Sequence, residues 1–574
     1  MTRQCQNCNQ SFEIAPEDLS FYDRIHVPPP TWCPRCRFQR RLAFFNLTAL
    51  YKRKCDLCGE EKISIYRPDA PYRVYCPPCW WSDKWDPMQY GRDYDFSRSF
   101  FEQYADLVHE VPHCGLATDH TTVINSTYTN HAGNLKNCYL LFQADFNEDC
   151  AHGVYVKNSR STLDSSLILK SELCYDSMHS YKNSHCAGLR SQVTNSLDCY
   201  FLKDSFNCQY CFASANLRNR KHVIFNKQYS PEDYFKEIAR WDLGSYAKYQ
   251  EIKCLAEAHW KTLPPKPHMD DFSVNSSGSH YFQCKNCKDC FEVWGEAEDS
   301  KFLFMLSIPP LKDCYDVSTW GNNLQLSYES YAVGEQGANL KFCAESGINA
   351  HLLEYCKFTF GGVEDFGCVG LRKKQYCILN KQYTKEEYEK MVPKIKKHMD
   401  EMPYISEIRN PKHEIRKIIY KYGEFFPIEL SPFPYNDTVA HNFFPLTKED
   451  ALARGYKWGD KEKRAYPITI KASDLPDHIK DAPGTILQEV IECVACGRGF
   501  RIIPMEFKFL RKMNLPLPRQ CPFCRIDEKF TLWVKDLRVI PRTCDKCGTS
   551  LTTNYTQEEA PVIYCKACYN NEVI

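Results

Sequence analysis

The most regular pattern of apolar and polar positions along this chain is a column of small side chains that returns about every twelve residues. Cys114, Cys138, Cys150, Cys174, Cys186, Cys199 and Cys211 stand at that spacing or its double; Ser126 and Thr162 fill skipped positions, and Tyr139, Tyr175 and Tyr200 each follow a cysteine. A second, less regular column runs through Cys290, Phe302, Cys314, Cys343, Cys356 and Cys368. Small residues in one column at a short fixed period predict a β-solenoid, whose coils stack at strand spacing so that equivalent side chains form ladders. Both columns close alike, because Leu217 to Tyr234 aligns without gaps with Leu371 to Tyr388. Ser230 and Thr384, each followed by acidic residues, predict helix starts there, and such helices would cap the open end of a solenoid. From Lys385 to about Tyr422, Glu, Lys and Ile recur at helical spacing, and Phe425-Phe-Pro and Pro432-Phe-Pro then predict an extended linker.

The ends of the chain follow a different rule. Eight C-x-x-C pairs lie there: Cys5/Cys8, Cys33/Cys36, Cys55/Cys58 and Cys76/Cys79 near the start, and Cys493/Cys496, Cys521/Cys524, Cys544/Cys547 and Cys565/Cys568 near the finish. The first two pairs are separated by 24 residues at both ends and the last two by 17. The side chains between them also keep register: Phe12, Ile14, Pro16, Phe21, Pro28, Pro30, Pro34 and Arg37 match Phe500, Ile502, Pro504, Phe509, Pro516, Pro518, Pro522 and Arg525. The terminal modules therefore read as one duplicated unit. Each knuckle offers two thiolates from a tight turn, and two knuckles close a tetrahedron around Zn²⁺, which replaces the core that so short a segment lacks. A dithiol-exchange motif, by contrast, usually stands alone before a helix. Four zinc ions, each held by four cysteines, are expected; sequential and cross-brace pairing of knuckles both fit the spacing.

Cys493-Val-Ala-Cys496, Phe500, Phe509 and Cys521-Pro-Phe-Cys524-Arg525 resemble the bacterial "probable zinc-ribbon" domain family, as does the stretch from Cys5 to Arg37. Tyr75-Cys-Pro-Pro-Cys-Trp-Trp-Ser-Asp-Lys-Trp-Asp86, Gly367-Cys-Val-Gly-Leu-Arg372 and Asn380-Lys-Gln-Tyr-Thr-Lys-Glu-Glu-Tyr388 look like a cysteine-rich, multi-zinc-ribbon family of candidate-phylum bacteria. The second resemblance covers most of the chain and implies an architecture, with no activity attached to it.

At 574 residues the chain is longer than one hydrophobic core usually serves. The expected class is multidomain and mainly β: two terminal double zinc ribbons flank two short-period β-solenoid arrays with helical caps. The expected boundaries are 1–90 for the N-terminal double ribbon, 91–240 for the first array and 241–272 for a helical linker. The second array takes 273–395, a helix with a Pro/aromatic linker 396–488, and the C-terminal double ribbon 489–574. The start is polar and runs straight into a knuckle, no apolar run is long enough to span a bilayer, and 33 cysteines in paired spacing read as reduced thiols. A cytoplasmic protein with no membrane partner is expected.

A net charge of +1 excludes a wholly basic nucleic-acid coat and leaves only local patches to read. The strongest is Cys33 to Lys54, where Arg35, Arg37, Arg40, Arg41, Lys52, Arg53 and Lys54 are interleaved with Phe38, Phe44, Phe45 and Tyr51 and no acid intervenes. Cations among aromatics suit phosphate contact with base stacking. Arg498, Arg501, Lys508, Arg511, Lys512 and Arg519 make the C-terminal module basic too. The opposing reading is that four thiolates against one Zn²⁺ leave each site negative, so that some arginines neutralise thiolates. Trp80, Trp81 and Trp85 suit either an anchor for a partner or a small core. No P-loop, G-x-G-x-x-G, H-E-x-x-H or G-x-S-x-G is present. Asp145, Glu148 and Asp149, or Glu364 and Asp365, are the carboxylates an enzyme on an array face would use, and their spacing singles none of them out. The functional expectation is a non-enzymatic cytosolic scaffold whose ribbons bind nucleic acid or a nucleoprotein. A protein adaptor and a solenoid-borne enzyme are the alternatives.

Overall fold

Strands that recur at a fixed interval and are entered from the same side pair in parallel, and the computed structural model of the chain shows that pairing. It describes residues 1–409, 415–460 and 467–573. Parts of the expected linker, 410–414 and 461–466, and the last residue of the C-terminal module lie outside the described residues. Cys174 lies opposite Cys186, Ser166 opposite Met178 and Gln209 opposite Lys221. In the second region Tyr315 lies opposite Tyr328. The strands assemble into an eight-stranded sheet that includes Tyr139–Glu148 and Asn130–Lys136, a six-stranded sheet from Glu172–Tyr175 to Lys227–Gln228, and a second eight-stranded sheet that includes Cys290–Glu298 and Tyr315–Gly321.

This corrects the expected class. The chain is not mainly β with two β-solenoid arrays: it is α/β, with large parallel sheets and helices laid on them. The cysteine spacing fixes which residue lies opposite which. How many strands share a sheet, and which helices cover it, depends on contacts between distant segments that a period does not encode.

The backbone has a second regularity. From Asn125 to His185 every third residue takes a left-handed conformation, including Tyr128, Leu140 and Phe146, which have side chains that disfavour it. These residues are held by backbone bonds between neighbouring strands: Asp149 N donates to Lys136 O at 3.0 Å, and Ser161 N to Glu148 O at 2.9 Å. The ladder cysteines fill the interior. Cys150, Cys174, Cys186 and Cys199 are fully buried, and Cys150 Sγ lies 3.3 Å from Glu148 O, within reach to donate to it. They act as small hydrophobes with a weak donor.

The chain folds into two units, each built from two separate stretches. The first combines Met1–Leu116 with Met269–Asp460. Its helix Pro34–Leu42 lies on the strands Tyr315–Gly321 and Tyr328–Gly334. The helix Lys385–Glu401 stops short of the expected Tyr422, because Pro403 disfavours helical backbone in the residue before it. Tyr404–Arg409 and Ile415–Tyr420 then pair as an antiparallel hairpin, as their isoleucines favour. The Pro/aromatic stretch is no free linker: Phe425, Phe426, Phe433 and Tyr435 are all buried.

The second unit combines Ala117–His268 with Lys461–Ile574. The helix Tyr246–Lys261 buries Tyr249, Ile252, Ala256 and Trp260 against strand Gln209–Ala215, and the helix Pro522–Asp536 lies on Ala151–Val154. Ser230 and Thr384 cap the helices expected after them, accepting from Asp233 N at 3.1 Å and Glu387 N at 3.2 Å. Among the described residues no helix is long and apolar enough to cross a membrane.

Candidate metal centres

Each knuckle pair is assembled by the same local device. In the first knuckle the leading cysteine closes a tight turn: Cys55 N donates to Glu60 O and Gly59 N to Cys55 O, both at 2.9 Å. Cys493 repeats this with Arg498 and Gly497, and Cys544 with Thr549 and Gly548. The turn needs a left-handed residue four places after the cysteine, which Gly59, Gly497 and Gly548 supply at low cost; Asn9 supplies it in the first site. In the second knuckle, Cys33, Cys76 and Cys521 each stand at a helix N-cap with proline following. There the free backbone N–H groups and the helix dipole favour a thiolate.

The knuckles close in sequence, first with second and third with fourth. Cys5, Cys8, Cys33 and Cys36 form one cluster, and Cys55, Cys58, Cys76 and Cys79 the next. Cys493, Cys496, Cys521 and Cys524 form a third, and Cys544, Cys547, Cys565 and Cys568 a fourth. Within each cluster the sulfurs all lie within 4.8 Å of one another. The distances identify the chemistry. Cys8–Cys33, Cys493–Cys524 and Cys496–Cys521 stand 3.8 Å apart, Cys58–Cys76 4.0 Å and Cys547–Cys565 3.7 Å. A tetrahedron with metal–sulfur bonds of about 2.3 Å has edges of about 3.8 Å, whereas a disulfide needs about 2.05 Å. The four sets can each hold a metal ion, and a donor set of four sulfurs fits zinc.

The leading sulfur of each cluster is prepared for charge by a backbone donor. Cys33 N donates to Cys5 Sγ, Cys76 N to Cys55 Sγ and Cys565 N to Cys544 Sγ, all at 3.2 Å, and Cys521 N to Cys493 Sγ at 3.1 Å. Burial pushes the Cys55 and Cys493 thiols up, but the N–H groups around them outweigh it and bring both down to about 7. Cys547, hydrogen-bonded by Thr549, falls to about 6.

The basic residues singled out for nucleic acid are in large part structural. Arg37, Arg40 and Arg41 are buried, at 1%, 0% and 0% exposure. Arg37 grips Asp316 through Nε and Nη2 at 3.0 and 2.7 Å, and Arg41 reaches the same carboxylate at 3.0 Å. Arg40 spans Glu329 and Glu424, the latter at 2.8 Å, with its guanidinium 4.3 Å from the centre of the Trp32 ring. Arg53 donates to the carbonyls of Arg67 and Tyr72. Arg37, Arg40 and Arg41 therefore do not present the expected phosphate-binding face: the acids that neutralise them come from distant parts of the chain, so no local reading of Cys33 to Lys54 could show them, whereas Arg53 pairs with the nearby Asp56 at 3.2 Å. Arg35, Lys52 and Lys54 do face solvent, with Lys52 3.7 Å from Glu61.

The C-terminal module repeats the device. Arg525, the counterpart of Arg37, binds Glu506 at 2.8 Å and also pairs with Asp164; Lys529, the counterpart of Arg41, pairs with Asp176. Sequence reasoning missed Asp316, Asp164 and Asp176. The available signal was that each stands two places after a column residue, Cys314, Thr162 or Cys174. Of the tryptophans, Trp80 and Trp85 belong to a core with Phe358, and Trp81 is 39% exposed. Glu148 and Asp145 are tied to Lys136 and Lys157 at 2.7 and 3.2 Å, an arrangement of ion pairs along the sheet face.

No protein-family model matches the chain, and no curated protein matches it. Among solved structures, one from Desulfovibrio desulfuricans G20, described as an acetyltransferase, shares 10% identity. The match covers 53% of this chain and 83% of that one, at a TM-score of 0.10, a likeness too small to carry an argument about fold or activity.

Proposed function

We propose that this protein is a zinc-dependent, non-catalytic scaffold, in which zinc folds the cysteine modules and each module is fastened to a parallel sheet by buried ion pairs. The observation that carries this reading is the common geometry of four all-cysteine clusters, with sulfur separations near those of a zinc tetrahedron. Four cysteines fill the coordination sphere of zinc, which suits a structural ion, whereas catalytic zinc keeps a position for water or substrate. The protein side supplies the donors and the backbone N–H groups that hold them; when bound, the ion supplies the cross-link that so small a module lacks.

Elemental analysis of the purified full chain tests the reading, with four zinc ions per chain expected. Clearly fewer than four, or a chelator-treated protein with unchanged structure, would remove its basis. For the partner, the nucleic-acid reading retains Arg35, Lys52 and Lys54 as exposed cations. Reversing all three charges should then weaken polynucleotide binding and flatten its salt dependence; no change leaves the protein-adaptor reading. Membership of the multi-zinc-ribbon family that the sequence resembles accords with this scaffold and adds no activity to it.

A further inference from the structure

In the second unit Lys170, Lys182, Asn195, Asn207 and Asn219 take the same left-handed position on successive strands and form one exposed column. The half-buried column beside it fixes the register: Leu169 lies opposite Tyr181, Tyr181 opposite Thr194, Thr194 opposite Phe206 and Phe206 opposite Arg218. Neighbouring parallel strands lie about 4.8 Å apart, so the five exposed positions run for about 19 Å.

Exposed charges elsewhere on these sheets are neutralised from strand to strand. Lys136 meets Glu148 at 2.7 Å and Lys157 meets Asp145 at 3.2 Å; in the first unit Lys285 and Lys312 meet Glu298 at 2.7 and 3.1 Å. The face from Leu169 to Asn219 departs from that plan, because neither of its columns holds a carboxylate. Arg218 is matched by Asp204 at 3.2 Å, but Lys170, Lys182 and the exposed Arg220 form no ion pair among the described residues. The two ammonium groups stand 5.6 and 5.1 Å from the centre of the Tyr181 ring, which positions them without cancelling their charge.

The asparagines add neutral donors and acceptors. Asn195 Nδ2 donates to Asn207 Oδ1 at 3.1 Å, and Asn207 Nδ2 to Asn219 Oδ1 at 2.6 Å. A primary amide carries two N–H groups, so this ladder uses one of each pair and leaves a row of donors at the surface. Unmatched cations in line with amide groups complement a polymer that carries a phosphate on every unit and polar base edges between them. An acidic peptide would meet the cations and leave the amides without a matching edge. We propose that this face binds single-stranded nucleic acid, with phosphates on Lys170, Lys182 and Arg220 and bases over the asparagine ladder. The surface is separate from Arg35, Lys52 and Lys54 of the first unit, so the two readings fail independently.

The test uses the purified full chain and a fluorescently labelled oligothymidylate, with binding followed by anisotropy over a series of salt concentrations. Saturable, salt-sensitive binding is expected. Lys170→Gln with Lys182→Gln should weaken it about tenfold and make the salt slope shallower by about 1.4, two contacts at about 0.7 each. The unfolding temperature should be unchanged, since both side chains are exposed. Photocrosslinking with a thiothymidine-substituted oligonucleotide should mark Tyr181 or Phe206, and should still do so when Arg35, Lys52 and Lys54 are reversed in charge. Absence of binding, equal binding by the wild type and the double variant, crosslinks confined to other parts of the chain, or tighter binding of polyglutamate than of the oligonucleotide would overturn the proposal.

Discussion

The two units use one fastening plan with different completeness. In the first, Arg37 and Arg41 enclose Asp316, and all three side chains are almost wholly removed from water, at 1%, 0% and 0% exposure. In the second, the matching Arg525 and Lys529 take separate acids, Asp164 and Asp176, and exposure rises to 11% at Asp176. The position between them diverges further. Arg40 reaches Glu329 and Glu424 and so ties in the Pro/aromatic stretch, whereas its counterpart Glu528 sits at the rim, 3.2 Å from Lys253. A duplicated helix can thus keep its docking residues while the segment packed over it decides how deeply they are buried. Depth matters energetically, because losing one partner of a buried pair strands a charge without water.

On the proposed zinc reading of the four clusters, removing the metal should have the largest effect on this comparison. Structural zinc contributes about 10–16 kcal/mol to such modules, so chelation should unfold both ends. The cluster Cys544, Cys547, Cys565 and Cys568, with only Cys544 buried, should release metal before the Cys5 cluster, where only Cys8 is exposed. Mass spectrometry of partly chelated protein would show the order, and simultaneous release would mean that exposure does not control it.

Asp316→Asn should come next. It strands two buried arginines and should cost about 3–5 kcal/mol in denaturant unfolding. Asp176→Asn should cost less, because Asp176 retains more solvent contact. Equal losses would mean that the difference in burial is energetically silent.

Acid should reveal the fastenings in both units. Burial alone would raise Glu354, but Lys341 and Lys396 outweigh it and hold it at about 2. A folded value below the unfolded one of about 4.3 gives stability that is full above that range and lost as pH falls through it toward 2. Asp176, which burial alone would raise, is likewise held well below its usual range by Arg190, Lys253 and Lys529. Glu354→Gln should therefore flatten the acid limb of the first unit's unfolding and leave that of the second. Smallest of all, Lys52→Glu with Lys54→Glu should change stability by no more than about 0.5 kcal/mol, as their exposure predicts.

Part of this architecture was legible in the residues. The C-x-x-C spacing located the four cysteine clusters because a tetrahedral site built from two tight turns tolerates few spacings, and the shared register of Phe21 with Phe509 and Arg37 with Arg525 exposed the duplication. The column through Cys174 and Cys186 predicted strand register for a similar reason: parallel neighbours repeat one environment. The left-handed triplet was less visible, although Asn125, Asn134, Asn137, Asp149 and Asn158 carried its signature, since Asn and Asp tolerate that conformation. The expected solenoid class went beyond what a period can say.

By itself, then, the sequence determined the short-range chemistry: four cysteine sets, the turns that shape them, the helices their second knuckles start, and the register of strand on strand. These are local constraints, satisfied within a few residues or one repeat. Only the tertiary structure decided that Arg37, Arg40 and Arg41 are internal fasteners and not a surface, since their partners Asp316, Glu329 and Glu424 lie hundreds of residues away. It also decided that the first module belongs with the second group of strands, and the last module with the first. Burial and charge pairing are properties of the folded whole, and a basic run acquires its meaning from the acids that reach it.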